Sequence, residues 1–239
     1  MRPVLIIQAG NPPRAVREQH GSFGAMVLRT AGLAPEAASI VRVYADEAPA
    51  APAAYSAAII TGSPANVTDH EPWSERTAGW IRDAMDAELP MLGICYGHQL
   101  MAHALGGRVD YHHAGREVGT WIVRQTAAGR DDAFLRDVPE AFAAQLIHEQ
   151  TVVEPPPGAL VLARNAHDPH QMLRMGARAI GVQFHPEFSA PVMRAYFSVM
   201  DETLRKERGD VDALAAAVAD TPSASGLVRR FLQMYASQP

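Results

Sequence analysis

Short apolar segments alternate with amphipathic segments along the first 105 residues of the chain. The apolar runs, which have the length of buried strands, cover residues 4–8, 39–44, 57–60 and 91–94. Helical spacing separates them: one helix contains Phe23, Met26, Val27 and Thr30 and ends at Gly32, and others are predicted over residues 73–87 and 97–105. Strands that are apolar on both faces and alternate with helices are typical of a parallel sheet covered on both sides. The pattern therefore predicts an α/β protein whose reactive edge lies where the strands end.

A different pattern occupies residues 108–184, where short strands follow one another without a helix-length run between them. We predict strands over residues 119–124, 143–147, 160–163, 171–175 and 180–184, which indicates an antiparallel β extension of the same sheet. Helical periodicity returns after Ser189, so residues 190–239 are predicted to form an amphipathic helical tail that packs or docks a partner. A length of 239 residues fits one domain over residues 1–239.

Composition and charge exclude several classes of protein. The chain is 48% hydrophobic and 20% charged, as expected for a globular protein. A net charge of −5 without a basic block argues against nucleic-acid or membrane-surface partners and favours a small-molecule substrate. The apolar run near the N-terminus is too short for a signal peptide or a membrane span. Because Cys95 is the only cysteine, no internal disulfide forms, and a reducing cytoplasm is the simplest location.

Cys95 has the sequence surroundings of a nucleophile. It follows a predicted strand directly, and Gly93 and Gly97 flank it two residues away on either side. A sharp strand-to-helix turn needs small neighbours, and the positive end of the following helix favours the thiolate. Taken alone, a cysteine in an apolar strand is more often a buried structural residue. The flanking glycines favour the catalytic interpretation.

A candidate base for this nucleophile lies at the end of the predicted strand 180–184. His185 and Glu187 are two residues apart, and on an extended chain such residues point to the same side, so the carboxylate could orient the imidazole ring. Pro186 lacks an N–H and suits the end of a strand rather than its middle. Any single histidine among ten is by default unrelated to catalysis. The cysteine motif in the same chain favours a catalytic role for His185.

Three segments in this order resemble the class I (triad) glutamine amidotransferases. They are Thr61-Gly62-Ser63-Pro64, Gly93-Ile94-Cys95-Tyr96-Gly97-His98-Gln99 and Phe184-His185-Pro186-Glu187. The resemblance extends over residues 4–188 and is strongest to the amidotransferase domain of GMP synthases and its stand-alone relatives. It implies a flavodoxin-like fold. It also implies that Cys95 is the nucleophile, His185 the general base and acid, and Glu187 the residue that orients His185.

Further site residues follow from the same resemblance. The backbone N–H groups of Ser63 and Tyr96 correspond to the oxyanion hole, although the family often has a second glycine where this chain has Ser63. Gln150 is a further departure from the commoner residues of its segment. Substrate contacts are implied for four more residues, which are Gly62, Gln99, Gly119 and His148.

The reaction implied by the resemblance is hydrolysis of the glutamine side-chain amide through a cysteine γ-glutamyl thioester, with ammonia released for transfer to an acceptor. It needs no metal or organic cofactor. No nucleotide-binding loop follows Phe188, so the acceptor would belong to a separate synthase subunit.

Three other functions are compatible with parts of the sequence. A γ-glutamyl peptide hydrolase could use the same residues, and a non-catalytic regulatory subunit could keep the fold, although the intact Cys95, His185 and Glu187 argue against the latter. Three histidine pairs are candidates for metal binding, and they are His167 with His170, His112 with His113, and His98 with His103. None has the spacing or the additional ligands of a zinc motif, so no metal site is predicted.

Overall fold

The computed structural model describes residues 2–236. Eleven strands are present in this part of the chain: β1 (Val4–Gln8), β2 (Ala38–Arg42), β3 (Ala57–Ile60), β4 (Met91–Ile94), β5 (Arg108–Tyr111), β6 (Glu117–Gln125), β7 (Ala141–His148), β8 (Gln150–Glu154), β9 (Leu160–Arg164), β10 (Met172–Gly176) and β11 (Ala179–Val182). The α-helices are α1 (Arg14–His20), α2 (Phe23–Ala31), α3 (Pro72–Asp86), α4 (Tyr96–Ala104), α5 (Ala127–Asp131), α6 (Ala190–Glu207), α7 (Val211–Ala216) and α8 (Pro222–Phe231).

Nine of these strands form one mixed sheet in the order β2-β1-β3-β4-β11-β10-β9-β6-β7. The strands from β2 to β11 are parallel, and this order matches the flavodoxin-like arrangement. From β11 onwards each strand pairs antiparallel to its neighbour. The predicted α/β class, with a parallel sheet and an antiparallel extension, is confirmed.

The strands β1, β3 and β4 have the predicted bounds, but other predictions differ from the structure. Strand β2 ends at Arg42 because the chain turns into a 3₁₀ helix over Val43–Ala45. Strand β11 ends at Val182, two residues early, so that the following segment leaves the sheet before His185. The small sheet of β5 and β8 was not predicted, since only Val109 of β5 is buried and its pattern carries little signal.

Two hydrophobic layers cover the faces of the sheet, as the apolar strands predict. On one face Ile6 and Ile59 pack in a cluster with Val27 of α2 and Phe231 of α8. On the other face Leu5, Ile7 and Ile60 lie in a cluster with residues of α3 and α4. Burial of each such side chain contributes about 1.5–3 kcal/mol.

The helical tail packs onto the rest of the molecule. Leu227 and Val228 of α8 belong to the central core, and α6 packs against α1. The sequence left open whether this tail packs on the domain or docks a partner, and the structure shows that it packs on the domain. Within residues 2–236 no helix is both long and apolar enough to cross a membrane.

Candidate active site

Three neighbouring parallel strands bring the candidate catalytic segments together. Strands β3, β4 and β11 are adjacent, with Ile60 paired to Gly93 and Ile94 paired to Val182. Because their carboxyl ends lie at one edge, Gly62, Cys95 and His185 converge there. The fold thus joins residues that are far apart in the sequence.

Cys95 occupies the sharp turn between β4 and α4. Its φ of 50° and ψ of −103° lie outside the usual regions for a residue with a side chain, so the backbone is strained. A β-carbon at Gly93 would lie 2.6 Å from the carbonyl oxygen of Gly97, and one at Gly97 would lie 2.8 Å from the carbonyl carbon of Ile60. Both glycines are therefore required by close backbone contacts. The predicted strained turn is confirmed.

His185 and Glu187 form a buried pair beside Cys95. The Nδ1 atom of His185 lies 2.8 Å from Oε1 of Glu187, and the two side chains are 3% and 0% exposed. The pair is closed by a turn, with the N–H of Phe188 donating to the carbonyl of His185, and not by the extended chain assumed from the sequence. The expected proximity is present, but the assumed local geometry was wrong because β11 ends before this segment.

Two negative partners control the protonation of His185. Burial by itself lowers the pKa of His185, but the nearby acidic groups of Glu187 and Cys95, with the hydrogen bond to Glu187, raise this pKa to about 10. The ring of Phe188 stacks on the imidazole at a centroid distance of 4.1 Å. These contacts favour the protonated form of His185 and fix the orientation of its ring.

The loop after β3 closes over this pair. A β-carbon at Gly62 would lie 2.9 Å from Cε1 of His185 and 3.8 Å from Cβ of Cys95, so only glycine fits beside both residues. The Ser63 hydroxyl donates to the carbonyl of Ala9 at 2.8 Å, which anchors the loop to the chain after β1. Within residues 2–236 the N–H groups of Ser63 and Tyr96 have no hydrogen-bond acceptor. Both are free to bind a ligand.

Gln99 and Gly119 occupy different surroundings. Gln99 lines the pocket, but its side-chain amide donates to the carbonyl of Gln150 at 2.7 Å and to Oε1 of Gln183 at 3.0 Å, so it supports the pocket wall. Gly119 has a positive φ of 111° in β6, and the atoms nearest to its added β-carbon belong to Phe197 and Trp121. The structure does not place Gly119 among the residues that line the pocket.

His148 lies in the pocket wall as part of a buried polar network. Its Nε2 is 3.0 Å from the carboxylate of Glu117, and its Nδ1 is 2.9 Å from the carbonyl of Gln150. Burial lowers the pKa of His148, but the hydrogen bond and charge of Glu117 raise it above the ordinary value. Glu117 also accepts a hydrogen bond from Gln171, which holds the network in place.

The pocket in front of Cys95 has a volume of about 360 Å³ and contains residues that the sequence did not single out. Arg116 and Glu149 form an ion pair in its wall, and Arg116 also binds Glu207 of α6 at 2.8 Å. An apolar part of the wall comes from the N-terminal region and from α6, with Pro13, Phe23, Tyr196 and Met200. No local motif marks these residues, because only the tertiary fold brings them to the pocket.

Comparisons with known proteins agree with this geometry. Residues 16–198 match the family model of the class I glutamine amidotransferases, and the chain belongs to this family. The GMP synthase of Thermomicrobium roseum is 39% identical over 129 residues, which are 54% of this chain and 23% of that protein. The GMP synthase of Aeropyrum pernix is 31% identical over 178 residues, which are 66% of this chain and 33% of that protein.

This chain therefore spans only a quarter to a third of the length of these relatives. Among solved structures, a glutamine amidotransferase from Thermotoga maritima superimposes with a TM-score of 0.76 at 21% identity, covering the whole of both chains. That likeness concerns the fold. The family of the chain is established by the family model, and its activity and the roles of individual residues follow as proposals.

Proposed function

We propose that this chain hydrolyses the side-chain amide of glutamine through a γ-glutamyl thioester on Cys95. The observation that carries the proposal is the arrangement at the edge of the sheet, where a cysteine on a strained turn lies beside a histidine that is hydrogen-bonded to Glu187. Such a pair is typical of cysteine nucleophiles that act in acyl transfer. A non-catalytic role would leave this costly burial of charges without a purpose.

The reaction proceeds in two acyl transfers. The Cys95 thiolate attacks the amide carbon, and His185 gives its proton to the departing nitrogen, so that the C–N bond breaks and ammonia leaves. Neutral His185 then accepts a proton from water, whose oxygen attacks the thioester carbon. The C–S bond breaks, glutamate leaves, and the thiolate and imidazolium are restored. Glu187 orients the ring and stabilises its charge throughout.

The free N–H groups of Ser63 and Tyr96 are the proposed oxyanion hole. A tetrahedral intermediate places negative charge on the former amide oxygen, and two backbone donors stabilise that charge without side-chain rearrangement. The substitution of serine for the commoner glycine preserves the donor, since the group used is the backbone N–H. The anchoring of the Ser63 hydroxyl to Ala9 supports a rigid donor.

The charged part of the pocket is proposed to bind the amino-acid end of the substrate. Arg116 carries the charge that complements an α-carboxylate, and Glu149 carries the charge that complements an α-ammonium group. His148 and Gln99 line the same pocket, and Gly62, which is not among the lining residues, leaves room for the side chains of His185 and Cys95. Gly119 does not line the pocket. Its contribution would be indirect, because its positive φ sets the path of the backbone in β6.

A second candidate function is favoured by the apolar wall. Phe23, Tyr196 and Met200 line the same pocket as Cys95, and Tyr196 packs on Phe188 beside His185 at a centroid distance of 5.1 Å. Ammonia needs no such surface, whereas an amine with an apolar side chain would pack on it. A γ-glutamyl peptide hydrolase is therefore the alternative to an amidotransferase subunit that delivers ammonia to a separate synthase.

The two functions are separated by comparing glutamine with a γ-glutamyl dipeptide as substrates of the purified protein, with glutamate release as the readout. We expect the larger kcat/KM for glutamine. A larger value for the dipeptide would assign the peptide hydrolase function, and no turnover of either substrate by the chain or by its mixture with a synthase subunit would support a regulatory role.

The unpaired catalytic thiol supports a location in the reducing cytoplasm.

A further inference from the structure

Three side chains that commonly bind metals meet on the surface outside the pocket. His70 lies in the loop between β3 and α3, Glu75 in the first turn of α3, and His103 in the last turn of α4. Their ligand atoms all lie within 4.8 Å of one another. None of the three residues lines the pocket around Cys95.

The ligand atoms already have nearly the spacing that a metal ion requires. Oε1 of Glu75 is 2.9 Å from Nδ1 of His70 and 3.1 Å from Nε2 of His103. In a tetrahedral zinc site with bonds of about 2.0–2.1 Å, neighbouring ligand atoms are about 3.3 Å apart. The ring nitrogens of His70 and His103 lie within 4.8 Å of each other, so a small adjustment of the three groups would admit the ion.

Exposure and charge favour the same conclusion. The side chains of His70, Glu75 and His103 are 60%, 42% and 26% exposed, so they can adjust and leave a fourth position open to water. The carboxylate of Glu75 would offset part of the charge of a divalent ion. Two imidazoles and a carboxylate form a common zinc ligand set.

We propose that His70, Glu75 and His103 bind one divalent transition-metal ion, with Zn²⁺ the preferred ion. The site joins the loop that follows β3 to α3 and to α4, the helix that starts beside Cys95. A bound ion would hold these three segments together and raise the stability of the fold. The proposal replaces the sequence-based expectation of no metal, and it is independent of the proposed glutaminase activity.

The test is calorimetric titration of the metal-free chain with ZnCl₂, together with thermal unfolding with and without zinc. His70→Asn is a suitable variant, because asparagine is well tolerated at the φ of 49° found there. Glu75→Gln keeps the shape of the side chain and removes its charge. His20→Asn, on the surface at the end of α1, is the matched control.

Cys95 and His185 could also bind zinc, so every titration is repeated in the Cys95→Ser background. We expect zinc to bind there with an affinity at least tenfold weaker in His70→Asn and in Glu75→Gln, and unchanged in His20→Asn. Zinc should raise the Tm only where the three ligands are intact. Equal affinity in all variants, or loss of zinc binding through Cys95→Ser alone, would overturn the proposal. Circular dichroism of the metal-free variants shows whether each remains folded.

Discussion

Replacement of Glu187 by glutamine is the most informative test of the proposed mechanism. The Glu187 side chain is fully buried, and its Oε1 accepts a hydrogen bond from Nδ1 of His185 at 2.8 Å. Within residues 2–236 its second oxygen has no hydrogen-bond partner. Glutamine keeps the size and the oxygen acceptor but removes the charge, so the variant isolates the electrostatic contribution.

The magnitude follows from the contact. Opposite charges about 4 Å apart attract by about 4 kcal/mol at an effective dielectric constant of about 20. The hydrogen bond to a charged group, worth about 1.5–3 kcal/mol, is weakened to a neutral one. We therefore expect the imidazolium of His185 to lose about 2–4 kcal/mol of stabilisation. At 1.36 kcal/mol for each tenfold change, kcat should fall about 30- to 1000-fold.

The same change should move the pH dependence. Because the pKa of His185 is raised to about 10, the active ion pair of the wild type should be lost only near that pH. In Glu187→Gln the alkaline limb of kcat/KM should move to lower pH by about 1.5–3 units. Folding stability follows the same sign: the contribution of His185 is present below its ordinary pKa of 6.5 and is lost as the pH rises towards 10. In Glu187→Gln the free energy of unfolding should decrease less steeply between these two pH values.

Steady-state glutaminase assays over a pH series measure both effects. The control is Glu154→Gln, because Glu154 is an exposed residue of β8 that does not line the pocket. The effect belongs in kcat, since Glu187 is proposed not to touch the substrate. A raised KM with an unchanged kcat would make Glu187 a binding residue. A lower kcat with an unmoved alkaline limb would refute the assigned link between Glu187 and the protonation of His185.

Further predictions concern the nucleophile, the turn and the charged wall. Cys95→Ser should leave the fold intact and lower kcat far below a tenth of the wild-type value, and a glutamine-like diazoketone should label the wild type once, at Cys95, by mass spectrometry. Gly97→Ala should lower the free energy of unfolding by about 1–3 kcal/mol in urea titrations, because its β-carbon would press on the backbone of Ile60. Arg116→Ala should raise KM for glutamine more than it lowers kcat; a pure kcat effect would contradict the proposed binding of the α-carboxylate.

Local patterns were enough to predict the centre of the molecule. Strands β1, β3 and β4 are short runs of apolar residues bounded by turn residues, and their bounds agree with the structure. The strained turn at Cys95 was also predictable, because glycines on both sides of a cysteine at a strand end are a local requirement of that geometry. These features depend on neighbours within a few residues.

Features that depend on distant contacts were decided only by the tertiary structure. The small sheet of β5 and β8 has little local signal, since its stability comes from pairing across about forty residues and from burial against the main sheet. Arg116 and Glu149 reach the pocket only because β6 and β7 pair beside β9. His70 and His103 are brought together by the packing of the loop before α3 on α4. The sequence by itself thus determined the parallel core and the nucleophile, while the pocket wall and the proposed metal ligands required the fold, because side chains far apart in the chain meet only after packing.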